Sequence, residues 1–134
     1  MAARPLRVLV MGQTGAGKTQ HCGTIIKHLG HVGPTPFVAS AGVDSHTHDP
    51  LTVTIVSEGV QYEITDTPGL MDTEGRERDI VNITAIVRAA KAFPAVHAVL
   101  LIMNEQNPRF DAAMQGEYCC CIGTAPIGYV QNAR

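Results

Sequence analysis

The chain has 134 residues, enough for one domain and too few for two with separate cores. Hydrophobic residues at 45% and charged residues at 16% fit a soluble globular protein and argue against disorder. A formal charge of −2, from 10 Lys+Arg against 12 Asp+Glu, leaves no basic surplus for nucleic acid or an anionic membrane as main partner. The longest apolar stretch, Phe93 to Met103, is broken by Pro94 and His97 and is far short of the roughly 20 residues of a membrane span. Met1 to Gly12 has only a brief apolar run and does not read as a secretory signal, so a cytoplasmic protein is the default expectation. Cys22 stands alone and Cys119, Cys120 and Cys121 are consecutive, which reads as reduced thiols, with palmitoylation of the triplet as the alternative. Peripheral membrane contact therefore stays open.

Apolar runs alternate with helical and loop-like stretches, the pattern of an α/β domain. Leu6 to Met11 is wholly apolar apart from Arg7 and reads as a buried parallel strand ending at Gly12. Lys18 to Leu29 reads as a helix with Ile25, Ile26 and Leu29 on one face and Gly30 as its stop. His31 to Pro50, broken by Pro and Gly, reads as a long loop of the kind that carries function. Leu51 to Val56 and Val60 to Thr65 read as two strands joined by a tight turn at Gly59. From Arg76 to Phe93, Ile80, Ile83, Ile86, Val87 and Ala90 recur at helical spacing, closed by Pro94. Val96 to Met103 is apolar on both faces and reads as an interior strand; after Asp111 the periodicity is lost.

Gly12-Gln13-Thr14-Gly15-Ala16-Gly17-Lys18-Thr19 fits G-x-x-x-x-G-K-[ST], the phosphate-binding loop, and it lies between an expected strand and an expected helix. Glycines let the backbone curl so that successive N–H groups face phosphate oxygens, and the helix N-terminus adds partial positive charge. Lys18 would bridge β- and γ-phosphates, the Thr19 hydroxyl would ligate Mg2+, and Gln20 completes the nucleotide-binding run. Asp66-Thr67-Pro68-Gly69, a D-x-x-G at a strand end, starts 48 residues after Lys18, where a GTPase has its second phosphate-sensing loop. Asp66 would hold Mg2+ and the Gly69 amide would meet the γ-phosphate. The fold expected is a P-loop NTPase, part of a G domain with a mostly parallel sheet and flanking helices.

Asp66-Thr67-Pro68-Gly69-Leu70-Met71-Asp72-Thr73 resembles the D-T-P-G-L-F-D-T of the immunity-associated, or avirulence-induced-gene, family of GTPases, related to septins and to chloroplast outer-envelope import GTPases. Pro94-Ala95-Val96-His97-Ala98-Val99-Leu100-Leu101-Ile102 resembles that family's P-G-x-H-A-x-L-L-V box, and Asn107-Pro108-Arg109-Phe110 its N-P-R-F. The resemblance covers 6–111, with 112–134 as an atypical Cys-containing tail; Cys22-Gly23-Thr24-Ile25-Ile26 departs from the family's G-N-S-I-L. It implies GTP/GDP with Mg2+, a nucleotide-dependent switch, and a homo- or hetero-dimer through the nucleotide face. Thr47, in Ser45-His46-Thr47-His48, matches the family's Mg2+- and γ-phosphate-sensing Thr; a metal site at His46, His48 and Asp49 is the competing reading, while His21, His28 and His31 read as surface positions.

Leu70 and Met71 stand where small GTPases carry a water-orienting Gln, so hydrolysis is expected to be slow or partner-assisted, with Arg76, Arg78 and Arg109 as positional candidates for a donated charge. No [NT]-K-x-D base reader follows Met103. The rest of a G domain is expected to be missing, as in a truncated or mispredicted product or a spliced variant. Two other readings remain: an interaction fragment with little nucleotide affinity, and an ATP-using P-loop protein.

Overall fold

A run of Leu, Val and Met too short for a helix can bury both faces only as a central strand, and Leu6–Gly12 (β1) takes that place. The computed structural model describes residues 4–13, 15–37, 49–70 and 76–103. In chain order β1 is followed by α1 (Lys18–His28), β2 (Leu51–Ser57), β3 (Val60–Asp66), α2 (Arg76–Ala92) and β4 (Ala98–Ile102). The sheet order is β2-β3-β1-β4, with β1 parallel to both β3 and β4 and with β2 antiparallel to β3. Thr47, Thr14 and everything after Met103, including the Cys triplet and the 112–134 tail, lie outside the described residues.

Side-chain alternation along the strands sorts the core into two layers. Leu9, Met11 and Val99 pack with Ile86 and Ala90 of α2 and with Leu70 and Val96. Val10 and Ile64 pack on the other face with Cys22 and Ile26 of α1, and Phe37 closes this cluster from the stretch after the helix. In α1 the buried positions Lys18, Cys22 and Ile26 recur every fourth residue. Gly23 is buried beside them; a Cβ there would lie 3.1 Å from Thr35 Oγ1, so the departure at Cys22-Gly23 matches close packing by the following chain. The helix ends as its punctuation predicts: Gly30 takes φ 98°, its N–H bonds Lys27 O at 3.0 Å, and His31 N bonds Ile26 O at 2.9 Å.

Two expectations are corrected. Ile80 is 58% exposed, and the row of α2 turned to the sheet is Asn82, Ile86 and Ala90, flanked by Ile83. An apolar-only reading skips Asn82, whose amide is needed by a neighbouring loop. The last strand is also shorter than Val96–Met103. His97 leaves the ladder geometry to clasp Arg7, its N–H bonding Arg7 O at 2.9 Å and its Nδ1 accepting from Arg7 N at 3.0 Å. Among the described residues β4 pairs with β1 alone and is the end of the sheet, not an interior strand.

Candidate functional site

The carboxyl ends of three parallel strands and the N-terminus of α1 converge on one edge of the sheet, the crevice where ligands of open α/β folds bind. β1 delivers the chain into this crevice through Gly12. A Cβ at Gly12 would stand 2.4 Å from the carbonyl oxygen of Ile102, so only glycine lets β4 close against the loop. On the other side Leu70 N donates to Gly12 O at 3.0 Å, and Gln13 bridges Leu70, tying the phosphate-loop and D-x-x-G segments of the sequence together. Gly15 (φ 78°) and Gly17 (φ 85°) supply the left-handed turns that lead into α1. Ala16 N and Lys18 Nζ both donate to Gln13 O, at 3.1 and 2.8 Å, drawing the loop into a ring around the helix start. His21, an exposed position as expected, holds Gly17 O through Nδ1 at 2.8 Å.

Asp66, at the end of β3, is 2% exposed and reaches the same point. Its Oδ2 accepts from Thr19 Oγ1 at 2.6 Å, whereas its buried Oδ1 meets no hydrogen-bond donor among the described residues. Burial pushes the Asp66 carboxyl above its ordinary range, against the Thr19 hydrogen bond, the Lys18 charge and the Thr67 amide, all of which favour the carboxylate. Burial also lowers Lys18, with Asp66 as the main opposing influence. Cys22, below them in α1, is pushed up to about 12 by burial and then by the Asp66 charge, so it is an inert core thiol. The crevice thus holds one ammonium and one carboxylate, both short of compensation.

The oxygen donors at this point, one hydroxyl and one carboxylate with a bare buried oxygen, suit a hard divalent cation such as Mg2+. Among the described residues no group of three or more His, Cys, Asp and Glu converges; His46 and His48 of the competing metal reading lie outside them, and Asp49 is exposed. Gly69 is anchored by Asn82 Nδ2, which donates to its carbonyl at 2.7 Å, and Thr67 Oγ1 donates to Val10 O at 2.6 Å with no exposure. Neither role was read from the sequence. Asn82 leaves one signal, a polar residue four positions before Ile86 and eight before Ala90.

Residues 6–115 match the AIG1 family. The chain belongs to the AIG1 family. It is 34% identical over 108 residues to GTP-binding protein A of Dictyostelium discoideum, covering 81% of this chain and 22% of that protein. It is 33% identical over 110 residues to GTPase Der of Bradyrhizobium sp., covering 82% of this chain and again 22% of the relative. This AIG1 chain therefore spans about a fifth of the length of those curated relatives. Among solved structures, Toc33 from Arabidopsis thaliana in complex with Mg2+ and GMPPNP superposes with a TM-score of 0.54 at 21% identity, over 90% of this chain and 44% of Toc33. The GDP and Mg2+ complex of Toc33 gives 0.53 at 20% identity, over 92% of this chain. These likenesses establish the fold as part of a P-loop G domain with a mostly parallel sheet, as the sequence predicts. Among the described residues no helix is long and apolar enough to cross a membrane.

Proposed function

We propose that this AIG1 chain binds GTP and GDP with Mg2+ and acts as a nucleotide-dependent switch. The observation that carries the reading is the Thr19–Asp66 contact at 2.6 Å beside a buried carboxylate oxygen that has no donor. Backbone amides from Gln13 to Gln20 surround the phosphates, and Lys18 Nζ exchanges the Gln13 carbonyl for β- and γ-phosphate oxygens. Thr19 and Asp66, with Thr47 from outside the described residues, hold Mg2+, which when bound neutralises phosphate charge. The Gly69 amide meets the γ-phosphate, its peptide held in place by Asn82. Guanine is favoured over adenine by the names of the relatives, GTP-binding protein A and GTPase Der, and by the nucleotides in the Toc33 complexes.

Hydrolysis is slow without a partner. Leu70 is fully buried with its N–H committed to Gly12 O, so the position after D-x-x-G offers no group to orient water. A second protomer across the nucleotide face is the natural supplier of an Arg; the side chains of Arg76 and Arg78, and all of Arg109, lie outside the described residues.

Calorimetric titration with GDP in Mg2+ and in EDTA tests the cation's place. Wild-type affinity is expected to fall roughly 10–100-fold in EDTA, the worth of a lost charge-assisted contact. Thr19→Ala and Asp66→Ala should bind GDP weakly in both buffers. A wild-type affinity indifferent to Mg2+ would remove these residues from the metal site.

A further inference from the structure

Edge strands usually carry a lysine, a proline or a bulge that blocks further pairing. β2 is the edge of the sheet beyond β3, and Leu51–Ser57 contains none of these and no charge at all. Its composition of Leu, Thr, Val, Ile and Ser, with five β-branched residues in unbroken succession from Thr52 to Val56, suits continued strand pairing.

Which backbone groups point outward follows from the hairpin. Glu58 (φ 49°) and Gly59 (φ 79°) form a two-residue turn of the primed type, closed by the pair Ser57↔Val60. In such a hairpin the closing pair exchanges both hydrogen bonds, and the bonded pairs recur at every second residue. Ser57, Ile55, Val53 and Leu51 therefore spend their N–H and C=O groups on β3. Thr52, Thr54 and Val56 turn theirs to the open edge, and all three side chains are exposed, Val56 at 65%. Among the described residues no strand lies along this outward edge of β2.

These outward residues are symmetric about Thr54. We propose that β2 pairs antiparallel with β2 of a second copy of this chain, on a two-fold axis through Thr54, joining two sheets edge to edge. Thr54 of each copy exchanges both backbone bonds with Thr54 of the other, and Thr52 does so with Val56. On the exposed face this places Thr beside Thr and Thr beside Val; on the opposite face Val53 meets Ile55, extending the cluster under α1 that both already join. The symmetry closes the assembly at two copies, since the pairing uses the same edge on each. Pro50 ends the pairing, having no N–H to offer at the next outward position. Asp49 and Glu58, at the two ends, are exposed acids brought near each other, so salt should strengthen the dimer. One short strand per copy makes a small interface, and a weak one. It lies away from the phosphate loop and needs no nucleotide, which separates it from a dimer across the nucleotide face.

Sedimentation of the full chain without nucleotide, over rising concentration, tests the inference. A monomer–dimer equilibrium is expected, at least about tenfold weaker in Thr54→Lys because like charges then face across the axis. Mixing Thr54→Lys with Thr54→Glu should restore a dimer, and Thr54→Val should keep one. Amide exchange on the wild type needs no variant: protection at Thr52, Thr54 and Val56 should rise with concentration. Protection at those amides that does not depend on concentration, a wild type monomeric at about millimolar concentration, or a dimer that forms only with nucleotide and ignores Thr54→Lys would overturn it.

Discussion

Lys18 and Asp66 face each other across the phosphate loop with burial working against both charges. Such a pair is strained by desolvation until an anion and a cation arrive to share it, which is how a binding site stores specificity at a cost in stability. The sign of the cost is testable through Asp66. Its carboxyl titrates higher in the folded chain than in the unfolded one, so the folded state holds the extra proton between the two values. Stability of the ligand-free chain should therefore fall as pH rises from about 4 through that window, and the loss should persist at neutral pH. Asp66→Asn keeps an acceptor for Thr19 without the charge. It is expected to melt a few degrees higher than wild type at pH 7, with the gap closing near pH 3. Equal melting temperatures at pH 7 would mean the carboxylate is not under strain. The phosphate loop and Asp66 were legible in the sequence because backbone curvature, a helix start and a strand end each impose residue types at fixed spacing. Thr67, Asn82 and His97 were not, since each acts by one side chain bonding backbone remote in sequence, and no spacing records that.

At the scale of elements, the β1–β4 junction depends on His97 as well as on the ladder. Arg7 is gripped four ways: by His97 on its N–H and on its carbonyl, by Glu63 on its Nε at 2.7 Å, and by the Phe93 ring 5.5 Å from its guanidinium. The Arg7–Glu63 pair is partly solvated and contributes little by itself. Removing the imidazole leaves the Arg7 N–H without its acceptor, a loss of about 0.5–1.5 kcal/mol. His97→Ala should lower the urea midpoint accordingly and speed exchange of the Arg7 amide more than that of Val10. An unchanged Arg7 amide would show the clasp to be incidental. Strand and helix order followed from periodicity alone; the α2 face and the start of β4 did not, because Asn82 and His97 are polar residues doing positional work inside apolar patterns. Ile80 and Val81, at 58% and 59% exposure, show the converse: apolar residues in helical register that the sheet does not cover.

The molecule as a whole is a sheet with a phosphate-loop crevice at one end and helices on both faces. The order β2-β3-β1-β4 leaves two different margins: β2, uncharged and self-complementary, and β4, apolar on both faces. The chain spans 22% of the length of GTP-binding protein A and 44% of Toc33, and no [NT]-K-x-D base reader follows Met103 in its sequence. The fold was readable because local sequence dictates it; nucleotide identity was not, because the phosphate-loop and D-x-x-G motifs address phosphate and metal and carry no base-reading residue. Equilibrium titration of the full chain with fluorescent GDP in Mg2+, with GTP, GDP and ADP as competitors and Lys18→Ala alongside, addresses the central claim. Binding that GTP and GDP displace, that ADP does not, and that Lys18→Ala abolishes is the expected result. A folded chain that binds no nucleotide, or releases GDP as readily to ADP, would contradict it.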